Sequence, residues 1–242
     1  MKKNPPVWFF TNERIGNFYS HIEKKGAIKK VFAISSGGDF AFTLLSNPNL
    51  KIKNILLCDV RKKAKTTINL KKDYFKKFSY KQLLKNLKSN AFLKKLKKKE
   101  VWYKNSFWPI KYKNDYLPYL KSKKRFNCLQ KNINKVSFVF GDFNKQLKKR
   151  KDNSLDLIYA SNILDHTSYC LNPQSYLKTI KEKLNKNGLL FIATQSQSKR
   201  KKITKLAQKE KLKIYKKKIN RFNPFSGLFG HFSFSFLLFK KD

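Results

Sequence analysis

The sequence predicts an α/β fold around a mostly parallel, doubly wound sheet, and three observations predict it. The run Val31 to Phe42, VFAISSGGDFAF, passes from an apolar strand pattern through paired glycines into a helix-compatible stretch. Strand and helix candidates then alternate along the chain. The last two candidates are consecutive strands. At 242 residues the chain suits one α/β domain over 1–242, with a lead-in at 1–30 and a basic, aromatic insertion at 61–125.

The glycine turn comes first because everything else is arranged about it. A strand ending in Ser35-Ser36-Gly37-Gly38-Asp39 exposes backbone N–H groups, and glycine lets a ligand approach the chain closely. The spacing is not the dinucleotide G-x-G-x-x-G, so a merely tight turn is the plainer reading. A helix over Phe40–Ser46 and the turn Asn47-Pro48-Asn49 lead to a second apolar run, Ile52–Leu57, closed by Cys58-Asp59. In doubly wound sheets ligands lie beyond the carboxyl ends of strands, where an acid accepts both hydroxyls of a ribose. Asp59 reads equally as a helix N-cap, and the two roles can coexist.

Before the turn, Trp8 to His21 brings Trp8, Phe9, Phe10, Phe18 and Tyr19 around Asn12, Glu13 and Arg14, a segment able to pack on the sheet or close over a ligand. After Arg61 the pattern is helical and basic, with Tyr80, Leu83, Leu84, Leu87 and Ala91 at helix spacing. Trp102 to Tyr119 is aromatic and broken by proline, the composition of a loop that stacks bases or lines a cleft. Helix candidates follow at 125–133, at 173–184 with a C-cap signal at Asn187-Gly188, and at 199–209. Strand candidates fall at Val136–Phe140 (ending in Gly141-Asp142), Leu155–Ala160, Leu189–Ala193, Leu212–Ile219 and His231–Phe239.

Composition bounds the partners. With 57 basic and 14 acidic residues the formal charge is +43, a field that draws polyanions, either nucleic acid or an anionic membrane surface. An AT-rich genome would account for part of the lysine but not by itself for the scarcity of acids. Cys58, Cys128 and Cys170 lack metal-ligand spacing and read as reduced thiols. No stretch approaches the ~20 apolar residues of a membrane span, and the start MKKNPPVWFF does not read as a signal peptide. A cytoplasmic protein, peripheral at the inner face of the membrane, is expected.

The order of units, finished by two consecutive strands, resembles the class I S-adenosylmethionine-dependent transferases. The resemblance implies their Rossmann-like methyltransferase fold: seven strands, the last antiparallel, with helices on both faces. It also implies S-adenosylmethionine as cofactor. Ser35, Ser36, Gly37, Gly38 and Asp39 would then hold its methionine moiety, Asp59 its ribose, Asp142 and Phe143 its adenine, and Ser161 and Asn162 would face the reacting carbon. The plainer readings are a turn residue for Asp142 and a helix cap for Asp39.

A narrower resemblance is carried by ISSGGDFAFTLL, LLCD and NLKKDYFKKFSYKQLL, and by Ser161-Asn162-Ile163-Leu164-Asp165. These are similar to the S-adenosylmethionine:diacylglycerol 3-amino-3-carboxypropyltransferases of betaine lipid synthesis. Two positions depart from that family: Phe40 replaces a common Asn, and Val60-Arg61-Lys62 replaces an Asn-Pro segment. The resemblance implies transfer of an aminocarboxypropyl group to a lipid hydroxyl, whose proton needs a base. Asp165 and His166 are the candidates, with Glu13 in reserve. Arg221 to His231, RFNPFSGLFGH, would meet a lipid interface or cover the sheet edge. Two other readings stand beside this one. One is a methyltransferase acting on RNA or another polyanion; the other is a non-catalytic basic module that binds nucleic acid or membrane.

Overall fold

The computed structural model describes residues 7–8, 22, 28–87, 101–102, 117–161, 163–165, 172–194, 197–219 and 235–241. Glu13, Asn162, His166 and the segment 221–231 lie outside them, as does most of 102–119. Seven strands form one sheet: β1 Lys30–Ile34, β2 Asn54–Asp59, β3 Val136–Phe140, β4 Leu155–Ser161, β5 Leu184–Thr194, β6 Leu212–Ile219 and β7 Ser235–Lys241. Their order is β3-β2-β1-β4-β5-β7-β6. Two compact units divide the chain, one comprising 1–27 and 35–141, the other 28–34 and 142–242.

In the first unit, β2 and β3 pair in parallel from Ile55↔Val136 to Asp59↔Phe140. Helix α1, Asp39–Leu45, follows the glycine turn and is buried at every position, which is why its sequence DFAFTLL has no polar face. Helix α2, Lys62–Lys77, buries Ala64, Thr67, Ile68, Lys71 and Phe75, one stripe at three- and four-residue spacing, and turns many of its remaining lysines outward. It stops at Phe78, whose backbone is extended. Among the described residues the unit also holds helices α3, Tyr80–Leu87, and α4, Lys123–Asn132. Ser122 caps α4 by accepting from the Arg125 N–H at 3.3 Å. Phe42, Phe75, Tyr119 and Phe126 form the aromatic core, with Phe75 meeting the other three at centroid distances of 5.2, 5.5 and 5.9 Å. Such edge and tilted pairs add to the simple burial of area.

In the second unit, β1 pairs with β4 and β4 with β5, both in parallel. Strand β7 runs antiparallel between β5 and β6. Asp142 caps α5, Phe143–Lys148. Asn172 caps α6, Pro173–Lys183, with proline at the helix start, where its missing N–H costs nothing. Helix α7 is Gln197–Lys209.

The C-cap expected at Asn187-Gly188 is corrected here. Helix α6 ends at Lys183, and Leu184 is already extended (φ −71°, ψ 137°) and paired with Leu155. The Asn-Gly signal instead marks a bulge in β5, between the pairs Leu155↔Leu184 and Leu157↔Leu189. Asn187 takes φ 65°, and a Cβ on Gly188 would lie 2.8 Å from the Asn185 carbonyl oxygen. The end of α6 is closed from a distance, by Lys241 Nζ donating to the carbonyls of Lys181 and Leu184 at 2.8 and 2.7 Å.

Candidate functional site

The first unit brings together Ser35, Ser36, Gly37, Gly38, Asp39 and Asp59. Gly37 and Gly38 both take left-handed backbone (φ 72° and 85°), a conformation that costs a side-chain-bearing residue but not glycine. The turn is tied down at both ends: Ser35 N–H donates to the Cys58 carbonyl at 2.9 Å, and Gly38 N–H closes onto the Ser35 carbonyl. A Cβ on Gly38 would sit 2.8 Å from Phe42 Cε2, so this glycine is required by packing as well as by its φ.

Asp59 lies at the end of β2 and is 2 % exposed. Its Oδ1 accepts from the Arg61 backbone N–H at 3.0 Å and from Arg61 Nε at 2.9 Å. Its Oδ2 accepts from Ser35 Oγ at 2.5 Å and from Arg61 Nη2 at 2.8 Å. The cap reading of Asp59 gives way to another arrangement, because the residue in the N-cap position of α2 is Arg61 and Asp59 bonds that residue's N–H. Beside it, Val60 and Phe140 are large apolar residues that stand exposed, Phe140 in register with Asp59. Gly141 N–H donates to the Asp59 carbonyl at 3.0 Å, pinning the chain after β3 to the end of β2.

Asp39 occupies the first turn of α1, where a negative charge meets the helix dipole favourably, while Gly38 holds the cap position. Its side chain is fully buried. Lys71 Nζ donates to Asp39 Oδ1 at 2.7 Å and to the Gly37 carbonyl at 2.8 Å, and Tyr119 OH donates to the same Oδ1 at 2.5 Å. Burial lowers the Lys71 ammonium from its ordinary value, opposed by the Asp39 charge. Burial and the neighbouring carboxylate together push the Tyr119 phenol well up. Lys71 thus holds the turn from beneath, through its carbonyl and its acid.

Lys71, Tyr119 and Arg61 are the residues that sequence reasoning missed as parts of this site. A signal existed for Lys71, since it stands on the apolar stripe of α2 between Ile68 and Phe75. Tyr119 and Arg61 carried no such sign.

The second unit holds the other expected residues. Asp142 behaves as a cap: Oδ1 accepts from Lys145 N–H at 2.8 Å and Oδ2 from Tyr176 OH at 3.2 Å. The Phe143 side chain is buried, its ring 5.0 Å from that of Phe32. Ser161 ends β4 buried, at φ 48°, left-handed backbone on a residue other than glycine. Asp165 closes a single 3-10 turn, Ile163–Asp165. Among the described residues no cluster of His, Cys, Asp or Glu could hold a metal ion.

Solved structures, methyltransferases among them, share this fold. The N-methyltransferase NodS from Bradyrhizobium japonicum WM9 superposes at a TM-score of 0.50 over 93% of both chains, with 10% identity. Its complex with S-adenosyl-L-homocysteine gives the same score over 93% of this chain and 85% of that one. Spermidine synthase from Thermotoga maritima matches 95% of this chain at 14% identity and a TM-score of 0.48. The chain spans about three-fifths of the spermidine synthases it matches, 59% and 61% of their length. No family model and no curated protein matches the sequence. Identities this low establish the fold.

Proposed function

We propose that the chain is an S-adenosylmethionine-dependent transferase. The observation that carries this reading is the turn of two consecutive left-handed glycines, Gly37 and Gly38, bonded through Ser35 to the buried acid Asp59 at the end of β2. The donor set fits the cofactor in kind. The backbone N–H groups of Ser36 and Gly37 suit a carboxylate, with Ser35 and Gly38 framing the turn through their own bonds, Asp39 supplies charge near an ammonium, and Asp59 suits a vicinal diol. The exposed apolar pair Val60 and Phe140 beside Asp59 suits a purine face. Asp142 and Phe143 would serve the base, and Ser161 and Asn162 the reacting end. The left-handed Ser161 supports that last role, because backbone held away from its preferred regions clusters at functional sites.

Bound S-adenosylmethionine supplies a sulfonium whose three adjacent carbons are open to attack. Which of them reacts depends on which carbon–sulfur bond the protein aligns with the nucleophile. Our reading is transfer of the 3-amino-3-carboxypropyl group to a diacylglycerol-like hydroxyl, with Asp165, His166 or Glu13 taking the proton. It rests on the sequence resemblance of ISSGGDFAFTLL and its companion stretches, and on a net charge of +43 that favours an anionic membrane surface. No helix among the described residues is long and apolar enough to cross a membrane, so the reading is of a peripheral enzyme. Methyl transfer to RNA is the second reading, favoured by the same charge and by the fold shared with an N-methyltransferase.

One assay separates the two. The protein is incubated with S-adenosylmethionine and either diacylglycerol-containing anionic vesicles or RNA, and the nucleoside product is identified. Aminocarboxypropyl transfer releases 5′-methylthioadenosine, whereas methyl transfer releases S-adenosylhomocysteine. If neither product forms and calorimetry detects no S-adenosylhomocysteine binding at millimolar ligand, the transferase reading is wrong.

A further inference from the structure

We infer that Arg61 is a latch in the ribose seat: its guanidinium occupies the two acceptor positions of Asp59 that a vicinal diol would use, and a diol-bearing ligand binds by displacing it. The inference rests on the proposed cofactor site and adds to it a residue that sets the affinity of that site.

The argument is one of capacity. An ionised carboxylate offers about four acceptor positions. Asp59 receives four donors: Arg61 N–H and Nε on Oδ1, Ser35 Oγ and Arg61 Nη2 on Oδ2. At 2 % exposure, nothing remains for a ligand to claim. Two of the four donors belong to the frame, because the Arg61 N–H is fixed by the start of α2 and Ser35 by the glycine turn. The other two are side-chain donors of a single group. When the guanidinium leaves, one position opens on Oδ1 and one on Oδ2, a pair matched to two adjacent hydroxyls. The fork of Nε and Nη2, at 2.9 and 2.8 Å, is therefore a stand-in for the diol.

Removal of the side chain is within reach. The Arg61 side chain is 24 % exposed, so it borders solvent where the carboxylate does not. Its departure leaves Asp59 with two frame donors and an incoming ligand rather than stranded. A site closed by its own side chain binds with an apparent affinity reduced by the fraction of time it is open.

The test is calorimetric titration of S-adenosylhomocysteine into the full chain and into Arg61→Ala, Arg61→Gln and Asp59→Ala. 5′-Methylthioadenosine and its 2′,3′-dideoxy counterpart serve as the ligand pair that isolates the diol. The latch predicts binding about tenfold or more tighter in Arg61→Ala than in the parent. That gain should be present for 5′-methylthioadenosine and absent for the dideoxy compound. If Arg61→Ala does not fold, Arg61→Gln, which breaks the fork but keeps a polar chain, should show the same sign. Binding by the parent that is unchanged or weakened in the arginine variants overturns the latch while leaving the cofactor site standing. Absence of binding in the parent and in both arginine variants overturns the cofactor site, and the latch with it.

Discussion

Replacing Lys71 by Met keeps nearly the same volume on the buried stripe of α2 while deleting the ammonium, so the change isolates the charge. Lys71 and Asp39 are both fully buried, 2.7 Å apart, and the ammonium also serves the Gly37 carbonyl. Removing one partner of a buried ion pair leaves an uncompensated charge and costs about 3–5 kcal/mol. Tyr119 OH still reaches Asp39 Oδ1 and softens the loss without neutralising it. For a chain of this size each kcal/mol moves the melting temperature by roughly 2–4 °C, so Lys71→Met should melt roughly 6–20 °C lower. The assay is urea unfolding with linear extrapolation, run on the parent, on Lys71→Met, on Asp39→Asn and on the double variant. The double variant removes the stranded charge and should recover at least half of the single loss. A Lys71→Met loss under about 1 kcal/mol, or a double variant as unstable as the sum of the singles, would refute the argument that this pair secures the turn.

Gly38→Ala forces a side chain into φ +85° and places Cβ 2.8 Å from Phe42, so a loss of about 1–3 kcal/mol is expected by urea unfolding, with weaker S-adenosylhomocysteine binding. Tyr119 holds its proton in the folded chain well above its ordinary value, whereas the unfolded phenol releases it near pH 10. Its stabilisation is therefore complete below about pH 10 and is lost as pH rises beyond it, and Tyr119→Phe should flatten the alkaline fall of the urea midpoint. Lys71, lowered by burial, acts in the opposite sense below its own ordinary value and is retained in both proteins compared. Asp142→Ala deletes the cap of α5 and should cost about 1 kcal/mol, checked by thermal unfolding.

What the sequence by itself determined is the part of the fold written in local periodicity and turn chemistry. The strands Val136–Phe140 and Leu212–Ile219 stand where the apolar patterns place them, and the helix over 173–184 ends one residue early. The glycine turn and Asp59 were legible because a left-handed turn needs glycine and an acid at a strand end stands out against apolar neighbours. The Asn187-Gly188 pair, a C-cap signal in the sequence, marks a strand bulge instead, where Asn187 takes left-handed backbone. Only the tertiary structure decided what the acids touch. Lys71 meets Asp39 across 32 residues and Tyr119 meets it across 80, distances that no window of periodicity spans. Arg61 lies two residues from Asp59, yet whether its guanidinium turns back onto that carboxylate depends on the burial of the strand end and on Ser35 arriving from the glycine turn. Composition fixed the charge of the molecule; packing fixed which of its cations meet its own carboxylates.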